Sequence, residues 1–441
     1  MNIILLSGGS GKRLWPLSND TMSKQFLRLL RNDSGEKESM VQRVFRQIKE
    51  AGIEANIVIA TGKSQVESIK SQLGENTDVV IEPERRNTFP AILLASAYLK
   101  YKKNASDNDT VLVLPVDPYT ENAYFETLLK MDKAIQSGDS DMTLMGIEPT
   151  YPSEKYGYII CDKADNEVKK VSKFQEKPTL EKAKELLSEG AYWNAGVFGF
   201  KLSYILDILN SNITVNSFEE LQSRFSELKK DSFDYEVVEK AKSINMIPYK
   251  GEWKDLGTWN TLTEEMPANH GDVITGEGNN NVSVINVTDR PVVVLGMDDV
   301  VVVSSTEGVL VSNKEKSSYL KPYVENLGEG RPLFEEKRWG EYKVLDSNEF
   351  EDGTKALTKH LSLKQGKSIS LQVHEHRDEI WSIIDGKGLL TVDDEVREVT
   401  RGEVINIKKG QKHKIVALTN LHIIETQIGD ELLEEDIKRF D

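Results

Sequence analysis

Met1-Asn2-Ile3-Ile4-Leu5-Leu6-Ser7-Gly8-Gly9-Ser10-Gly11-Lys12-Arg13 opens the chain, and Lys24 follows within a short distance. The apolar run from Ile3 to Leu6 reads as a buried parallel strand, and Ser-Gly-Gly-Ser-Gly stops it abruptly. Such a stop forms a backbone cradle for phosphate. Glycines let main-chain N–H groups from Leu6 through Ser7, Gly8, Gly9, Ser10 and Gly11 come close to an anion, while Lys12, Arg13 and Lys24 supply charge. A glycine-rich turn after an edge strand is the plain alternative. The coincidence of three glycines with three cations favours the cradle. Neither G-x-G-x-x-G nor G-x-x-x-x-G-K-[ST] occurs here, which disfavours a dinucleotide fold and a P-loop.

Outward from that strand the pattern alternates. Residues 38–53 carry Met40, Val41, Val44, Phe45 and Ile48 on one helical stripe, with Arg43, Arg46 and Lys49 expected to face out. Strands follow at 57–60, 79–81 and 110–116, with helices at 65–73 and 90–102 between them. Alternating strands and helices imply a doubly wound sheet with ligands at the carboxyl ends of its strands. Asp117 closes the strand Thr110-Val111-Leu112-Val113-Leu114-Pro115-Val116. From there a carboxylate reaches a phosphate-bound metal, or simply forms a turn. After residue 270 short β-branched runs replace the helices, as in a small β domain. From Arg338 to the end, strand follows strand.

A chain of 441 residues predicts two or three domains. Its formal charge of −16 repels polyanions and argues against a nucleic-acid partner. No apolar run reaches membrane-spanning length, and no export leader is evident, so the expected location is the cytoplasm. The single cysteine, Cys161, excludes internal disulfides. Five of the six histidines fall in the C-terminal stretch, which marks a chemically distinct unit there.

Gly8-Gly9-Ser10-Gly11-x-Arg13-Leu14-Trp15-Pro16-Leu17-Ser18 with Lys24-Gln25-Phe26-Leu27 resembles the signature of the mannose-1-phosphate guanylyltransferases, some of which carry a C-terminal phosphomannose-isomerase-like cupin. The resemblance continues in order along essentially the full chain. Leu-Pro-x-Asp at Asp117 implies a Mg²⁺ ligand, although Pro118 stands where the family usually has His. Glu82-Pro-Glu-Arg-Arg86-Asn87-Thr88 is similar to the family's purine-reading segment, and the plain reading of Asn87 or Thr88 is a helix cap. Tyr156-Gly157-Tyr-Ile, Phe-Gln-Glu176-Lys177-Pro and Trp-Asn194-Ala-Gly look like its sugar-phosphate motifs, with Asp234 as a further pocket acid. Asp255, in Trp-Lys-Asp-Leu-Gly, is implied as the second Mg²⁺ ligand. By this resemblance Arg13, Lys24, Asp117 and Asp255 carry the catalysis.

At the C-terminus, strand alternation would set Gln372, His374 and His376 on one face, with Glu379 and His413 completing a shell for a divalent metal, zinc being one candidate. The spacing resembles cupin metal motifs, and Arg377 is the residue that the family implicates in isomerisation. Glu375 and Ile380 replace two of the family's histidines, which tips the expectation against isomerase activity.

The implied architecture is α/β: a Rossmann-like nucleotidyltransferase with a mixed sheet over 1–270, a short β-helix-like linker domain over 271–331 and a cupin β-barrel over 332–441. The implied reaction joins GTP and mannose 1-phosphate, in a chain expected to be a homodimer. Two alternatives stay open. One is a pyrophosphorylase for another base or sugar; the other is a barrel that binds metal or assembles subunits without catalysing.

Overall fold

Asn2–Ser7 is the third strand of a nine-stranded sheet, and its Ile3, Ile4 and Leu5 are fully buried. The computed structural model describes all residues except 10, 11, 20, 163–165, 326, 328–330, 434, 435 and 441. It comprises two compact units. The first is built from Met1–Ser10, Lys24–Val66 and Asn76–Met266, and the second from Gly11–Ser23, Glu67–Glu75 and Pro267–Asp441.

In the first unit the strands Asp78–Glu82, Asn56–Gly62, Asn2–Ser7 and Thr110–Pro115 are neighbours in parallel register. Beyond them Tyr192–Lys201 inserts antiparallel between Thr110–Pro115 and Met142–Ile147, so the sheet is mixed. Ile244–Tyr249, Lys169–Gln175 and Tyr158–Cys161 complete it. The helix Thr88–Lys103 is buried over most of its circumference, with Ile92, Leu93, Leu94 and Ala95 inaccessible to solvent. It forms the central packing element of the core.

The helix expected over 38–53 runs from Met40–Glu50, started by a capping box in which Ser39 and Gln42 satisfy each other's backbone N–H. Its Arg43 and Arg46 do not simply face solvent. Both clasp the buried Glu38, at 3.0 and 2.8 Å. The Arg43 guanidinium also lies 4.5 Å from the Tyr119 ring centroid, and Gln47 donates to the Thr120 carbonyl. The helix thereby fixes the segment that follows Asp117.

The second unit holds two all-β parts. Asn269–His270, Ser283–Asn286 and Val300–Ser305 stack in parallel, and so do Val273–Thr275 and Val292–Val294. These rungs form a short parallel coil, closed by the antiparallel strand Gly308–Asn313. The C-terminal part is a six-stranded and a five-stranded sheet, which share one core containing Tyr342, Leu361, Trp381, Leu390, Ile415 and Ile423. Alternation along Lys355–Leu363 sends Leu357, Lys359, Leu361 and Leu363 inward. This is a cupin-like barrel.

Candidate active site and barrel metal cluster

The parallel strand Thr110–Pro115 ends just before Asp117, and a two-stranded ribbon begins immediately after it. Pro118–Thr120 pairs antiparallel with Trp253–Asp255, with Pro118 opposite Asp255. Pro118 is therefore the first rung of the ribbon that sets the two aspartates side by side. Lys24 completes the group. Its ammonium lies 2.7 Å from Asp117 and 3.2 Å from Asp255. Burial alone would lower the Lys24 pKa, but the two carboxylates outweigh it and hold the ammonium above its ordinary value. Two carboxylates that converge on one cation can also hold a divalent ion. Gly257 matters here because a Cβ at that position would come within 2.9 Å of an Asp255 oxygen.

Both aspartates open into a cavity of about 420 Å³, also lined by Tyr156, Gly157, Glu176, Lys177, Asn194 and Asp234. Asn194 donates to Asp234 at 2.7 Å and accepts from the Gly196 N–H, so its amide is oriented from both ends. Asp234 sits on the short helix Phe233–Glu236, whose first N–H is accepted by the Thr88 hydroxyl. Burial and the neighbouring Glu176 push the Asp234 carboxyl up to about 6, against the Asn194 hydrogen bond. Glu176 binds Lys177 through Oε1 at 2.6 Å, while its buried Oε2 has no protein partner. A buried carboxylate oxygen without a donor is a vacant acceptor for ligand hydroxyls. Gly157 has to be glycine because a Cβ there would collide with Glu176 Oε2.

At the end of the first strand, a Cβ on Gly8 would stand 3.6 Å from Glu82 Oε1, and one on Gly9 would meet nothing within 4 Å. Among the described residues packing does not require glycine at position 9; close approach by a ligand would. Glu82 is 8% exposed, and burial pushes its carboxyl up to about 7, opposed by Arg85.

Several expected binding residues have other partners or lie in the second unit. Asn87 adopts φ 71° and caps the helix Thr88–Lys103 by accepting from the Thr88 N–H. Arg86 donates to the Leu228 carbonyl at 2.7 and 3.2 Å and pairs with Glu84. Lys12 and Arg13 lie on the short turn Lys12–Leu14 of the second unit, where Lys12 donates to the Glu325 carbonyl. Ser10 and Gly11 lie outside the described residues.

In the barrel, His374, Glu379 and His413 bring their ligand atoms within 4.8 Å of one another, all buried. Gln372 joins them, 3.4 Å from His374 Nε2 and 3.3 Å from His413 Nε2. The Gln411 carbonyl lies 3.0 Å from His413 Nδ1, which leaves Nε2 free to ligate. Trp381 and Gln427 donate to Glu379, and this outer hydrogen bonding is typical of a metal site. His376 is not part of it, and the expectation is corrected: the strand Ser368–Val373 ends before His374, so alternation no longer applies. The His376 imidazole is half exposed beside Asp430.

Arg377 is 2% exposed and donates to Glu379, to the Leu433 carbonyl and to Asp436. The cavity beside this cluster measures about 70 Å³.

Residues 2–270 match the Nucleotidyl transferase family, and 334–441 match the Mannose-6-phosphate isomerase C-terminal family. The chain belongs to the nucleotidyl transferase family. It is 32% identical to the xanthan biosynthesis protein XanB of Xanthomonas campestris pv. campestris (strain B100), over 99% of this chain and 97% of that protein. Identity to the mannose-1-phosphate guanylyltransferase of Salmonella montevideo is also 32%, over 99% and 98%. A solved structure from Thermus thermophilus, described as a mannose-1-phosphate geranyltransferase, superposes with a TM-score of 0.60 at 27% identity, covering 74% of this chain and 98% of that one. This nucleotidyltransferase is an enzyme, and its C-terminal region is of the isomerase type.

Lys155 and Trp253 also line the enzyme's cavity, and the sequence by itself gives neither a role. Both sit inside motifs that were legible, Lys155 beside Tyr156-Gly157 and Trp253 two residues before Asp255. The Trp253 indole N–H is buried and has no protein partner.

Proposed function

We propose that this enzyme transfers GMP from GTP to α-D-mannose 1-phosphate, releasing pyrophosphate and forming GDP-mannose for polysaccharide synthesis. One observation carries the reading. The Lys24–Asp117–Asp255 cluster opens into the same cavity as Glu176, Lys177, Asn194 and Asp234, so a charge-handling centre faces a hydroxyl-binding pocket.

Asp117 and Asp255 would hold Mg²⁺, which when bound would offset the repulsion between the two phosphate-bearing substrates. Lys177 would bind the acceptor phosphate as a point charge, and Glu176, Asn194 and Asp234 would orient the sugar hydroxyls. The glycine loop at Ser7–Gly9 would hold the donor phosphates. Glu82 suits guanine, whose adjacent N1–H and N2–H₂ donors a carboxylate accepts. No covalent nucleophile is needed. The acceptor phosphate attacks the α-phosphorus in line, and Lys24 neutralises charge on the transferring group. In this reading the transferase part spans 1–270, the linker coil 271–331 and the barrel 332–441.

Incubation with GTP, mannose 1-phosphate and Mg²⁺ tests it, and failure to release pyrophosphate overturns it. A panel of other nucleotides and sugar phosphates separates it from a pyrophosphorylase of different specificity.

For the barrel we infer a metal-binding, non-isomerising role. Arg377 is consumed by Glu379 and the C-terminal segment, and the adjoining space is far smaller than the transferase cavity. Detectable mannose 6-phosphate turnover with added divalent metal, abolished by Arg377→Ala, would reject it.

A further inference from the structure

Beneath the glycine loop lies a buried polar network that the reaction described above does not use. Gln65 ends the short turn Lys63–Gln65 and is 1% exposed. Its Nε2 donates to the Gly9 carbonyl at 3.0 Å. Its Oε1 accepts from the Thr61 hydroxyl at 2.9 Å and from Gln25 Nε2 at 3.2 Å. Gln25 Nε2 also donates to the Ser7 hydroxyl at 3.0 Å, and the Thr61 hydroxyl reaches the Ser7 carbonyl at 2.9 Å. Ser7, Gln25, Thr61 and Gln65 are all at most 2% exposed.

The chemistry of the partners fixes the orientation of the Gln65 amide. A carbonyl can only accept, so the nitrogen must face Gly9, and the oxygen then faces Gln25 Nε2 and the Ser7 and Thr61 hydroxyls. The position is equally specific. The parallel ladder with Asn56–Gly62 ends at Ser7 opposite Thr61, so Gly9 lies past the last sheet hydrogen bond. A peptide group is planar, and pinning its oxygen therefore pins the whole plane. Among the described residues, a Cβ at Gly9 would meet nothing within 4 Å. The loop is thus held at its Gly9 carbonyl by a buried side chain.

We propose that Gln65 is a positioning residue for nucleotide transfer, holding the Gly9 peptide so that the loop receives donor phosphates without rearranging. This rests on the reading of Ser7–Gly9 as the donor cradle. Gln65 touches no reacting atom; it acts through the loop. Breaking its bond to Gly9 removes a tether on that peptide, so the loop has to be ordered each time the donor binds.

The test is steady-state kinetics of the full chain with two variants. Gln65→Leu removes every hydrogen bond, and kcat/KM for GTP is expected to fall by about 10- to 100-fold. The KM for mannose 1-phosphate should stay within about twofold of wild type. Gln65→Glu keeps the acceptor oxygen and the shape, and only its protonated form has a hydrogen to give the Gly9 carbonyl. Its kcat/KM for GTP, divided by that of wild type, should therefore recover as the pH falls from about 8 to about 6. That recovery separates positioning from packing, since a packing defect gives a flat ratio. Thermal melts of both variants report stability separately. If Gln65→Leu does not fold, the isosteric Gln65→Glu variant decides alone. The proposal is overturned by a flat Gln65→Glu ratio, or by a Gln65→Leu loss shared equally between donor and acceptor. Wild-type turnover is the control. Its absence with GTP refutes the function proposed above, and the same ratios are then read with the nucleoside triphosphate that wild type does use.

Discussion

Lowering the pH from about 8 to about 6 should weaken GDP-mannose binding roughly tenfold, through Glu82. Its carboxyl is pushed up to about 7 by burial, so in the free enzyme it passes from charged to neutral inside this window. Guanine offers donors on its N1 and N2 edge, and only the carboxylate accepts both. Binding therefore selects the ionised form. Affinity is full above the free-state value and is lost as the pH falls through it, and at about one pH unit below only about a tenth of the enzyme is in the binding form. GDP-mannose is the right probe because, unlike GTP, it carries no terminal phosphate that titrates in the same range. Calorimetric titrations at closely spaced pH values give the profile. Asp234, pushed up to about 6, adds its own slope at the acid end, so the decisive comparison is with Glu82→Gln. That variant should bind more weakly at about pH 8, by something on the order of 10-fold, and lose the dependence between about pH 8 and 6.5. A wild-type profile flat over that range, or one unchanged in Glu82→Gln, refutes the assignment of Glu82 to the base.

Other perturbations have equally definite outcomes. Lys24→Ala should lower kcat on the order of 100-fold while leaving GTP affinity nearly intact, as single-turnover and binding measurements would show; equal losses in both would make it a binding residue only. Asp255→Asn should raise the Mg²⁺ concentration needed for half-maximal rate and cut kcat by about 100-fold or more, read from a Mg²⁺ titration of pyrophosphate release. In the barrel, elemental analysis of the purified chain is expected to show a divalent metal, which His413→Ala should remove and His376→Ala should leave in place. Ser39→Ala, which breaks the capping box, should cost about 1 kcal/mol of stability in denaturant unfolding of the full chain.

Much of what the sequence shows lies in short stretches whose neighbours in the chain are also neighbours in space. Ile3 to Gly9 read as strand then loop, and Tyr156-Gly157, Glu176-Lys177 and Asn194 each came from a short motif. What was not legible depends on tertiary placement. The antiparallel Tyr192–Lys201 strand between two others is a matter of sheet order, which no local pattern encodes. His376 follows the alternating pattern of its strand in sequence, but the strand has already ended. Lys12 and Arg13 follow the glycine loop directly, yet they fold with the second unit. Arg86 looked like a ligand group and instead holds the Leu228 carbonyl. Gln65 gave no signal at all, because a glutamine in a Gly-Lys-Ser-Gln turn is unremarkable until its amide is seen beneath Gly9. The departure at Pro118 has a local reason, since it is a rung of the ribbon rather than a ligand.

That ribbon has a consequence for how the enzyme comes to exist in the cell. Asp117 and Asp255 meet only when Trp253–Asp255, near the end of the first unit, pairs with Pro118–Thr120, near its middle. Such a pairing closes a very long loop, and contacts of that kind form late and slowly. A chain still emerging from the ribosome would already have its glycine loop and most of its sheet but no second aspartate. On the proposed function, nascent chains should therefore remain unable to turn over substrate until the strand that carries Asp255 is synthesised and paired.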